Sequence, residues 1–346
     1  MRTPDDVVSL VGTYGARVDD AARSFLARGP YEMYGMMQYF MGYADEHLMP
    51  TREVFGGKRF RSGICLMLAD QYRALYDALP LALSIEIFHN FTLIHDDIVD
   101  KDELRRGRPT VWKVWGHDHA INTGDGQLLL AIEALEDAMH DIKNRARPFL
   151  LSKYREVVEG QFLDFTLTNY ALDDVRTTEA LYIEMMIKKT SVLVAAATKA
   201  AGIAARVDAR EEELLWKFGL ALGLAYQLCD DTISVWGSAE MTGKIPHGDV
   251  REKKKTLPVL HTVASLVGTA REEFVALYSQ TESLSDTQVK RAIELMNSVH
   301  AYEYARARVD LEAEHAVAAL NALSIPQSGK DTLRALVHAL LPRVTP

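Results

Sequence analysis

Helix-forming residues fill this 346-residue sequence in long, nearly continuous runs. Alanine, leucine, methionine, glutamate, lysine and arginine dominate these runs, and the alternation of β-branched and polar residues that marks a strand is nearly absent. Glycine and proline breaks fall at Gly29-Pro30, Gly56-Gly57, Leu79-Pro80, Gly107-Arg108-Pro109, Arg147-Pro148, Gly243 to Gly248 and Ile325-Pro326. They leave runs of roughly 20 to 30 residues, which suit a large helical bundle. Because no linker-like stretch divides the chain, the sequence predicts a single all-α domain over residues 1–346.

Charge and composition exclude several classes of partner. Lys+Arg 39 against Asp+Glu 48 gives a formal net charge of −9, which argues against non-specific nucleic-acid binding. The most apolar windows, 192–205 and 214–229, are each interrupted by a lysine and are short for a bilayer, so we expect buried helices and no membrane span. The first residues lack a secretory pattern, and Cys65 and Cys229 are expected to be buried free thiols. These features predict a cytoplasmic protein in a reducing compartment.

Three aspartates mark the end of one expected helix, Leu81–Asp100. Four residues advance a helix by about 400°, so Asp96 and Asp100 share a face, with Asp97 beside them. The polar residues that continue this face are Glu86, His89 and Thr92. We expect such a stripe on an apolar helix to border a cavity, where crowded carboxylates need cations between them. An EF-hand is excluded, since its alternating oxygen ligands and central glycine are absent.

Basic residues accompany this acidic cluster on both sides. Arg105-Arg106-Gly107-Arg108-Pro109 follows it directly, and Gly56-Gly57-Lys58-Arg59-Phe60-Arg61 opens an earlier helix. Glycine lets backbone amides approach an anion at a helix N-terminus, where Lys58 and Arg61 add positive charge. The closing Lys-Ser/Thr of a Walker loop is missing. Because guanidinium groups grip phosphate oxygens, these segments indicate a diphosphate ligand.

A second acidic cluster lies about 130 residues further along the chain. Asp230 and Asp231 end an apolar run that also carries Gln227, and Ser234 stands four residues after Asp230. The charged residues of the loop that follows are Lys244, Arg251 and Lys253 to Lys255. Mg²⁺ takes one or two carboxylates and completes its shell with water and phosphate oxygens. The two clusters with their cations therefore predict a metal–diphosphate site over which a basic loop closes.

The motifs, in this order, resemble those of the trans-isoprenyl diphosphate synthases, the polyprenyl synthetase family, over nearly the whole chain. The matching segments are Gly56 to Arg61 (with Ser62 in place of a proline), Leu93 to Asp100, Arg105 to Thr110, Ile121 to Asp125, Gly160 to Asp164, Lys189-Thr190, Tyr226 to Asp231, and Thr242 to Pro258. The resemblance implies an isoprenoid-synthase-type bundle with a deep central cavity, and a homodimer. It also implies a prenyltransferase that joins isopentenyl diphosphate head to tail to an allylic diphosphate through an allylic carbocation.

The resemblance implies roles for individual residues. The metal ligands are Asp96, Asp100 and Asp230, holding three Mg²⁺ ions per active site, with Mn²⁺ as an alternative. The residues for the allylic diphosphate are Arg105, Lys189, Lys244 and Lys254. The residues for isopentenyl diphosphate are Lys58, Arg61, His89 and Arg106. The catalytic set comprises Asp96, Asp97, Asp100, Lys189, Thr190, Gln227, Asp230 and Lys244, of which Thr190 and Gln227 would line the path of the cation as neutral dipoles.

Product length is set in this family by bulky residues just before the first motif. Phe91 lies five residues before Asp96, and no insertion interrupts the motif, which favours geranylgeranyl diphosphate as the product. Helical geometry puts Phe88 about 80° and Phe91 about 140° from Asp96, so Phe88 is a second candidate. The alternative is a farnesyl or a longer-chain diphosphate.

Two other functions fit part of the sequence. A terpene cyclase on the same scaffold needs the metal residues but binds no second diphosphate, so Lys58, Arg61, His89 and Arg106 argue against it. A non-catalytic subunit that modulates an active synthase fits the weakened second motif, although such a subunit should have lost more acidic residues. In that motif Ser234 replaces the family's last aspartate, which we expect to alter metal affinity. Lys253 stands where the family has glycine and adds charge to the closing loop.

Overall fold

A computed structural model describes residues 4–51, 57, 59–238 and 246–344, and only the backbone of residues 4–8. The chain is 77% helical with few strands, so the all-α prediction is confirmed. The helices are α1 (Pro4–Leu26), α2 (Glu32–Met41), α3 (Phe60–Gln71), α4 (Leu75–Val99), α5 (Val111–Trp115), α6 (His117–Glu133), α7 (His140–Asn169), α8 (Glu179–Met186), α9 (Val192–Ala204), α10 (Ala209–Trp236), α11 (Gly248–Arg251), α12 (Leu257–Ser265), α13 (Gly268–Tyr278), α14 (Asp286–Ser298), α15 (Ala301–Ala322) and α16 (Gln327–Leu340). A 3₁₀ turn covers Ala134–Asp137, a π turn covers Ile187–Ser191, and strands β1 (Leu104–Arg105) and β2 (Arg108–Pro109) form a short hairpin.

The chain forms two compact units, each made of separate stretches of sequence. The first unit contains the described residues of 1–154, 196–215 and 324–332, and the second those of 155–195, 216–323 and 333–346. Helices α7, α9, α10 and α16 contribute residues to both units. The single domain over residues 1–346 and the central cavity stay predictions.

Two of the expected helix breaks are not breaks. Pro80 lies inside α4, which therefore begins at Leu75 rather than at Leu81, and Pro148 lies inside α7. A proline removes the hydrogen bond to the carbonyl four residues earlier. Those carbonyls belong to Tyr76 and Asn144, which are exposed, so water can bond to them. Both prolines also lie within the first three turns of their helices, where little of the helix has to be realigned.

The expectations for the apolar windows and the cysteines are confirmed. The two windows form α9 and the middle of α10, and most of their apolar side chains are buried, whereas Tyr226 is 38% exposed. Cys65 and Cys229 are buried free thiols, and burial raises the pKa of Cys65 to about 12 and that of Cys229 to about 11. Across the described part of the chain, every helix is too short or too polar to cross a bilayer.

Helix α4 is the apolar centre of the first unit and packs antiparallel to α6. Near one end of this pair a Cβ on Gly124 would lie 2.3 Å from Nε2 of His95, so a larger residue there would have to displace the imidazole. Near the other end Ser84 Oγ donates to the Ala131 carbonyl at 2.5 Å. The register between these points fixes which residues of α6 lie beside the polar residues of α4.

A buried polar network ties α1, α3 and α4 together at the start of α3. Arg59 adopts a left-handed φ of 47°, and its guanidinium contacts Asp19 Oδ1 at 2.7 Å and Glu86 Oε1 at 3.2 Å. Ser62 Oγ donates to the other Glu86 oxygen at 2.7 Å, and Asn90 Nδ2 donates to Oε1 at 3.1 Å. Burial alone would raise the pKa of Glu86, but Arg59 and these hydrogen bonds hold it below its usual value. Glu86 therefore leaves the predicted polar stripe and anchors Arg59 instead.

Replacing Glu86 with glutamine should destabilise the protein strongly. The change leaves the Arg59 guanidinium buried with one charged partner fewer, and breaking a buried pair costs about 3–5 kcal/mol. Urea denaturation measures the free energy of unfolding. The matched control is Glu273→Gln, which breaks an exposed pair with Arg291 (2.8 Å) and should have a much smaller effect. Equal losses in the two variants would contradict the structural role of Glu86.

Candidate active site

The arginines after the first acidic cluster form a tight hairpin. Arg105 pairs with Arg108, and the two residues between them, Arg106 and Gly107, have φ values of 54° and 76°. Two consecutive positive φ angles define the type I′ turn, which matches the twist of paired strands. Arg106 therefore stands at the tip of the hairpin in a left-handed conformation. A Cβ on Gly57 would lie 2.7 Å from Nη2 of Arg106, so the glycine admits this guanidinium against the backbone that precedes α3.

Asp97 anchors this hairpin from inside α4. Its side chain is almost fully buried (1% exposed), and Arg105 Nε donates to its Oδ1 at 2.5 Å. Burial raises the pKa of Asp97 to about 6, against the lowering effect of Arg105. The expectation that Asp97 crowds beside its neighbours is wrong, because its ion pair turns it into the protein. Asp96 and Asp100 remain on the outer face, half-buried and exposed. A catalytic role for Asp97 stays a prediction, now with Arg105 as its partner.

The other end of the hairpin is attached to α2. Arg108 donates to the carbonyls of Tyr39 (3.2 Å) and Ala44 (2.8 Å), and its guanidinium lies 4.0 Å from the centre of the Tyr39 ring. Tyr39 in turn donates to the Pro109 carbonyl at 2.7 Å and meets Trp115 edge to face at 4.9 Å. These contacts hold Arg108 in a structural position, whereas Arg105 and Arg106 lie on the side of α4 and Gly57.

Arg61 and His89 lie together, as the predicted isopentenyl diphosphate site requires. Arg61 Nη1 lies 3.0 Å from His89 Nε2, and an arginine can only donate, so Nε2 is the unprotonated nitrogen. Burial lowers the pKa of His89 well below its usual value, and the charges of Arg61, Arg106, Arg105 and Arg59 add to this effect. His89 is thus a neutral group among cations. Lys58, the fourth residue of this set, lies outside the described residues.

The carboxylates of the first cluster suit a hard divalent cation. Asp96 and Asp100 lie one turn apart at the end of α4, where the Asp100 N–H donates to the Asp96 carbonyl at 2.8 Å. The C-terminal end of a helix carries partial negative charge, which also favours a cation. Among the described residues, no three His, Cys, Asp or Glu side chains group closely enough to hold a metal by themselves. Two carboxylates completed by phosphate oxygens and water satisfy Mg²⁺.

The two candidate chain-length residues are both buried, in contact with each other. The rings of Phe88 and Phe91 are 5.5 Å apart; Phe88 stacks on Tyr154 at 3.9 Å, and Phe91 meets His95 at 4.9 Å. Phe91 is therefore nearer to the acidic end of α4. Phe88 is one turn deeper, stacked on the ring of Tyr154, whose hydroxyl bonds to Ser84 Oγ, so the two phenylalanines form consecutive layers of one aromatic cluster.

Gln127 is a buried polar residue that sequence analysis did not single out. It is completely buried on α6, and neither Oε1 nor Nε2 has a hydrogen-bond partner within the described residues. The antiparallel register of α4 and α6 puts it at the level of Phe88 and Phe91. An unpaired buried amide is costly, roughly 1–3 kcal/mol. The signal that could have revealed it is a lone amide on the buried face of an apolar helix.

In the second unit, Lys189 and Thr190 lie on the π turn between α8 and α9. Such a turn inserts one residue into a helix and redirects the side chains that follow, often at functional sites. A Cβ on Gly160 would lie 2.2 Å from the Lys189 nitrogen, so glycine lets α7 touch this turn. Lys189 Nζ pairs with Asp164 Oδ2 at 2.6 Å. Asp164, which was named above only as part of a short motif, is therefore the ion-pair partner of a predicted site residue.

The two aspartates of the second acidic cluster differ in burial, as Asp96 and Asp97 do in the first. Asp230 is exposed, whereas Asp231 is buried and accepts hydrogen bonds from Tyr182 Oη and from Gln227 Nε2 (2.9 Å). Burial raises the pKa of Asp231 to about 7. Thr190 Oγ1 donates to Gln227 Oε1 at 3.4 Å, so the two expected neutral dipoles contact each other.

Ser234, where the family has a third aspartate, has a local structural role. Its Oγ accepts from the Asp249 N–H at 3.3 Å, at the start of the short helix α11. Asp249 Oδ1 pairs with Lys254 Nζ at 3.1 Å, and Glu252 pairs with the same nitrogen at 3.1 Å. Lys253 donates to the carbonyls of Gln280 and Thr281. Lys254 is therefore the partly exposed cation of this segment. Lys244 lies outside the described residues.

The structure thus groups the predicted residues into two sets, one in each unit. The first unit brings together Arg61, His89, Arg105 and Arg106 near the end of α4. The second brings together Lys189, Thr190 and Gln227 beside Asp231. Whether Asp230 shares a metal with Asp96 and Asp100, and whether Lys254 meets the same diphosphate, stay predictions.

His89 should lower the free energy of unfolding as the pH falls through about 6.5, whereas Asp97 and Asp231, whose pKa values are raised in the folded protein, act in the opposite direction. The folded protein resists protonating His89, whose pKa lies well below the ordinary 6.5, so the unfolded chain takes up that proton first. Urea denaturation between about pH 5 and pH 7.5 measures the slope. His89→Gln, which keeps an acceptor for Arg61, should reduce the slope, whereas His338→Gln at an exposed position should not. An unchanged slope in His89→Gln would contradict a neutral His89.

Comparison with known proteins identifies the family. Residues 47–296 match the polyprenyl synthetase family model. The chain is 32% identical to a (2E,6E)-farnesyl diphosphate synthase of Mycobacterium tuberculosis over 317 residues, 90% of this chain and 86% of that protein. It is 34% identical to a geranylgeranyl diphosphate synthase of Saccharolobus solfataricus over 295 residues, 82% of this chain and 84% of that protein.

A solved structure gives the same result. The crystal structure of a polyprenyl synthetase from Streptomyces coelicolor A3(2) superposes with a TM-score of 0.88 at 30% identity, covering 97% of this chain and 100% of that one. Agreement extends over sequence motifs, chain length and fold. The chain belongs to the polyprenyl synthetase family and is one of its prenyltransferases.

Proposed function

We propose that this chain condenses isopentenyl diphosphate with an allylic diphosphate in the presence of Mg²⁺, with geranylgeranyl diphosphate as its main product. The observation that carries the proposal is the end of α4. There the Asp96 and Asp100 carboxylates lie one turn apart beside an arginine hairpin that Asp97 holds in place. Oxygen ligands for a hard cation next to guanidinium groups make a site for a metal-bound diphosphate.

The reaction begins at the allylic substrate. Its C1–O bond breaks, and the electron pair leaves with the diphosphate. Mg²⁺ would supply Lewis acidity to the departing oxygens. Asp96, Asp100 and Asp230 would hold the metal, with Arg105, Lys189, Lys244 and Lys254 on the other oxygens. Fixed charges of this kind stabilise the leaving group because they are already oriented before the bond breaks.

The second substrate then attacks the allylic cation. Lys58, Arg61, His89 and Arg106 would hold the diphosphate of isopentenyl diphosphate, so that its double bond lies near C1 of the cation. The π electrons form the new C–C bond, and the positive charge moves to C3 of the isopentenyl unit. Loss of a C2 proton to the released diphosphate restores a double bond. Thr190 and Gln227 would line the path of the cation without reacting.

Several further features complete the proposal. The relatives include farnesyl and geranylgeranyl synthases at nearly equal identity, so the product rests on Phe91 and not on overall similarity. A homodimer is supported by apolar side chains that α6 exposes to solvent, Leu129 (66% exposed) and Ile121. The reducing compartment suggested by two unpaired thiols supports a cytoplasmic location.

Removing one carboxylate of the first cluster should abolish most activity. Asp96→Ala and Asp100→Ala should each lower turnover by about 100-fold or more, because each removes electrostatic stabilisation at the leaving diphosphate. Turnover is measured with radiolabelled isopentenyl diphosphate at saturating substrates and a range of Mg²⁺ concentrations. The matched control is Asp20→Ala, at an exposed position on α1. Near-normal turnover in both cluster variants would contradict the metal assignment, and so would full activity in excess chelator.

Shortening Phe91 should lengthen the product. Phe91→Ala removes the aromatic ring nearest the acidic end of α4, so chromatography of the products should show at least one additional five-carbon unit. Phe88→Ala tests the second candidate one turn deeper. Each truncation of a buried phenylalanine costs about 3–5 kcal/mol, and Phe274→Ala in the second unit controls for that loss. A product distribution that changes in neither α4 variant would remove both as determinants. Hydrocarbon formed from geranylgeranyl diphosphate alone would favour a cyclase.

A further inference from the structure

Helix α10 meets the segment around the π turn at three levels. Gly223, Gln227 and Asp231 lie four residues apart and therefore on one face of α10. A Cβ on Gly223 would lie 2.8 Å from the Ser191 Cα, so the two backbones touch there. One turn further, Gln227 contacts Thr190, and one more turn on, Asp231 contacts Tyr182. The two elements thus run antiparallel, and their polar contacts form one chain.

The chain of hydrogen bonds gives the Gln227 amide one orientation. Both oxygens of Asp231 are used: Tyr182 Oη donates to Oδ2, and Gln227 Nε2 donates to Oδ1 at 2.9 Å. At a pH above its raised pKa the Asp231 carboxylate is ionised and accepts only, so the NH₂ group of the glutamine has to face it. The carbonyl oxygen Oε1 then faces the opposite way, toward the Thr190 hydroxyl at 3.4 Å. A flipped amide would set two acceptors against each other at Asp231.

We propose that Asp231 and Tyr182 are positioning residues that hold the negative end of the Gln227 dipole toward the allylic cation. This inference rests on the proposed prenyl transfer and assigns a role to two residues that the reaction scheme leaves unused. Asp231 selects the orientation of the amide, and Tyr182 pins the carboxylate so that one oxygen stays directed at Gln227. A dipole oriented before the charge develops stabilises the transition state, whereas a reversed one opposes it.

The surroundings of Asp231 separate this role from metal binding. Its side chain is buried (4% exposed) with both oxygens hydrogen-bonded inside the protein, whereas the adjacent Asp230 is exposed. The two side chains diverge by about 100° around α10. The side chain of Asp230 is therefore directed outward, whereas Asp231 orients the neutral amide of Gln227.

The experiment is a double-mutant cycle on prenyl transfer by the full-length protein. Asp231→Asn and Tyr182→Phe should each lower kcat by about 10-fold or more, with little change in the KM of either diphosphate or in the Mg²⁺ concentration required. Gln227→Leu should lower kcat as well. Because Asp231 acts through Gln227, adding Asp231→Asn to Gln227→Leu should cause little further loss. Circular dichroism and Tm check that each variant is folded.

Tyr278→Phe is the matched control for the tyrosine. Its hydroxyl is buried in the second unit without a hydrogen-bond partner among the described residues, so removing it should leave kcat unchanged. Losses that multiply in the double mutant would overturn the inference, as would a shift in the Mg²⁺ requirement of Asp231→Asn. If Asp231→Asn does not fold, Tyr182→Phe decides: an unchanged kcat overturns the inference. Absence of prenyl transfer in the wild-type protein would instead contradict the proposed function.

Discussion

The ion pair between Asp97 and Arg105 connects the acidic and basic parts of the first unit. It joins the last turn of α4 to a hairpin of only two paired residues per strand, so the position of Arg106 at the tip depends on it. A buried ion pair adds little net stability, because desolvation offsets the attraction, but losing one partner is costly. Its contribution here is geometric: it fixes where two guanidinium groups stand relative to the carboxylates of Asp96 and Asp100.

The same division of neighbouring aspartates occurs in both units. In each pair the first residue is directed outward, and the second is buried with a raised pKa, about 6 for Asp97 and about 7 for Asp231. Consecutive residues of a helix point about 100° apart. On a helix with one solvent-exposed face and one buried face, neighbouring aspartates can therefore have different environments. The buried member then organises another functional group, Arg105 in one unit and Gln227 in the other. Both motifs therefore place an outward carboxylate, a predicted metal ligand, next to a buried carboxylate that holds a neighbouring side chain.

Helical composition and periodicity were sufficient to predict the all-α fold and the shared face of Asp96 and Asp100, but not the continuation of α4 and α7 through Pro80 and Pro148. It was not sufficient for the inward turn of Asp97, because the partner that draws it inward stands on a hairpin whose type I′ turn carries arginine where asparagine is usual. The π turn at Lys189 was not predicted either, because no local sequence pattern marks it; in the structure the backbone of Lys189 packs against Gly160. The sequence placed Glu86 in a polar stripe because it does not show the buried network of α1, α3 and α4. In that network Arg59 lies directly against Glu86.

The hairpin tip has a consequence for engineering this fold. Arginine pays a steric penalty at a left-handed φ that asparagine or glycine largely avoids, and residues held this way tend to cluster at functional sites. A selection for thermal stability alone would therefore favour asparagine or glycine at Arg106 and so remove a guanidinium from beside Gly57. Substitutions of Arg106 that raise thermal stability should therefore lower the affinity for diphosphate. A stabilised variant would need its gains from elsewhere in the chain, for example from the unpaired amide of Gln127.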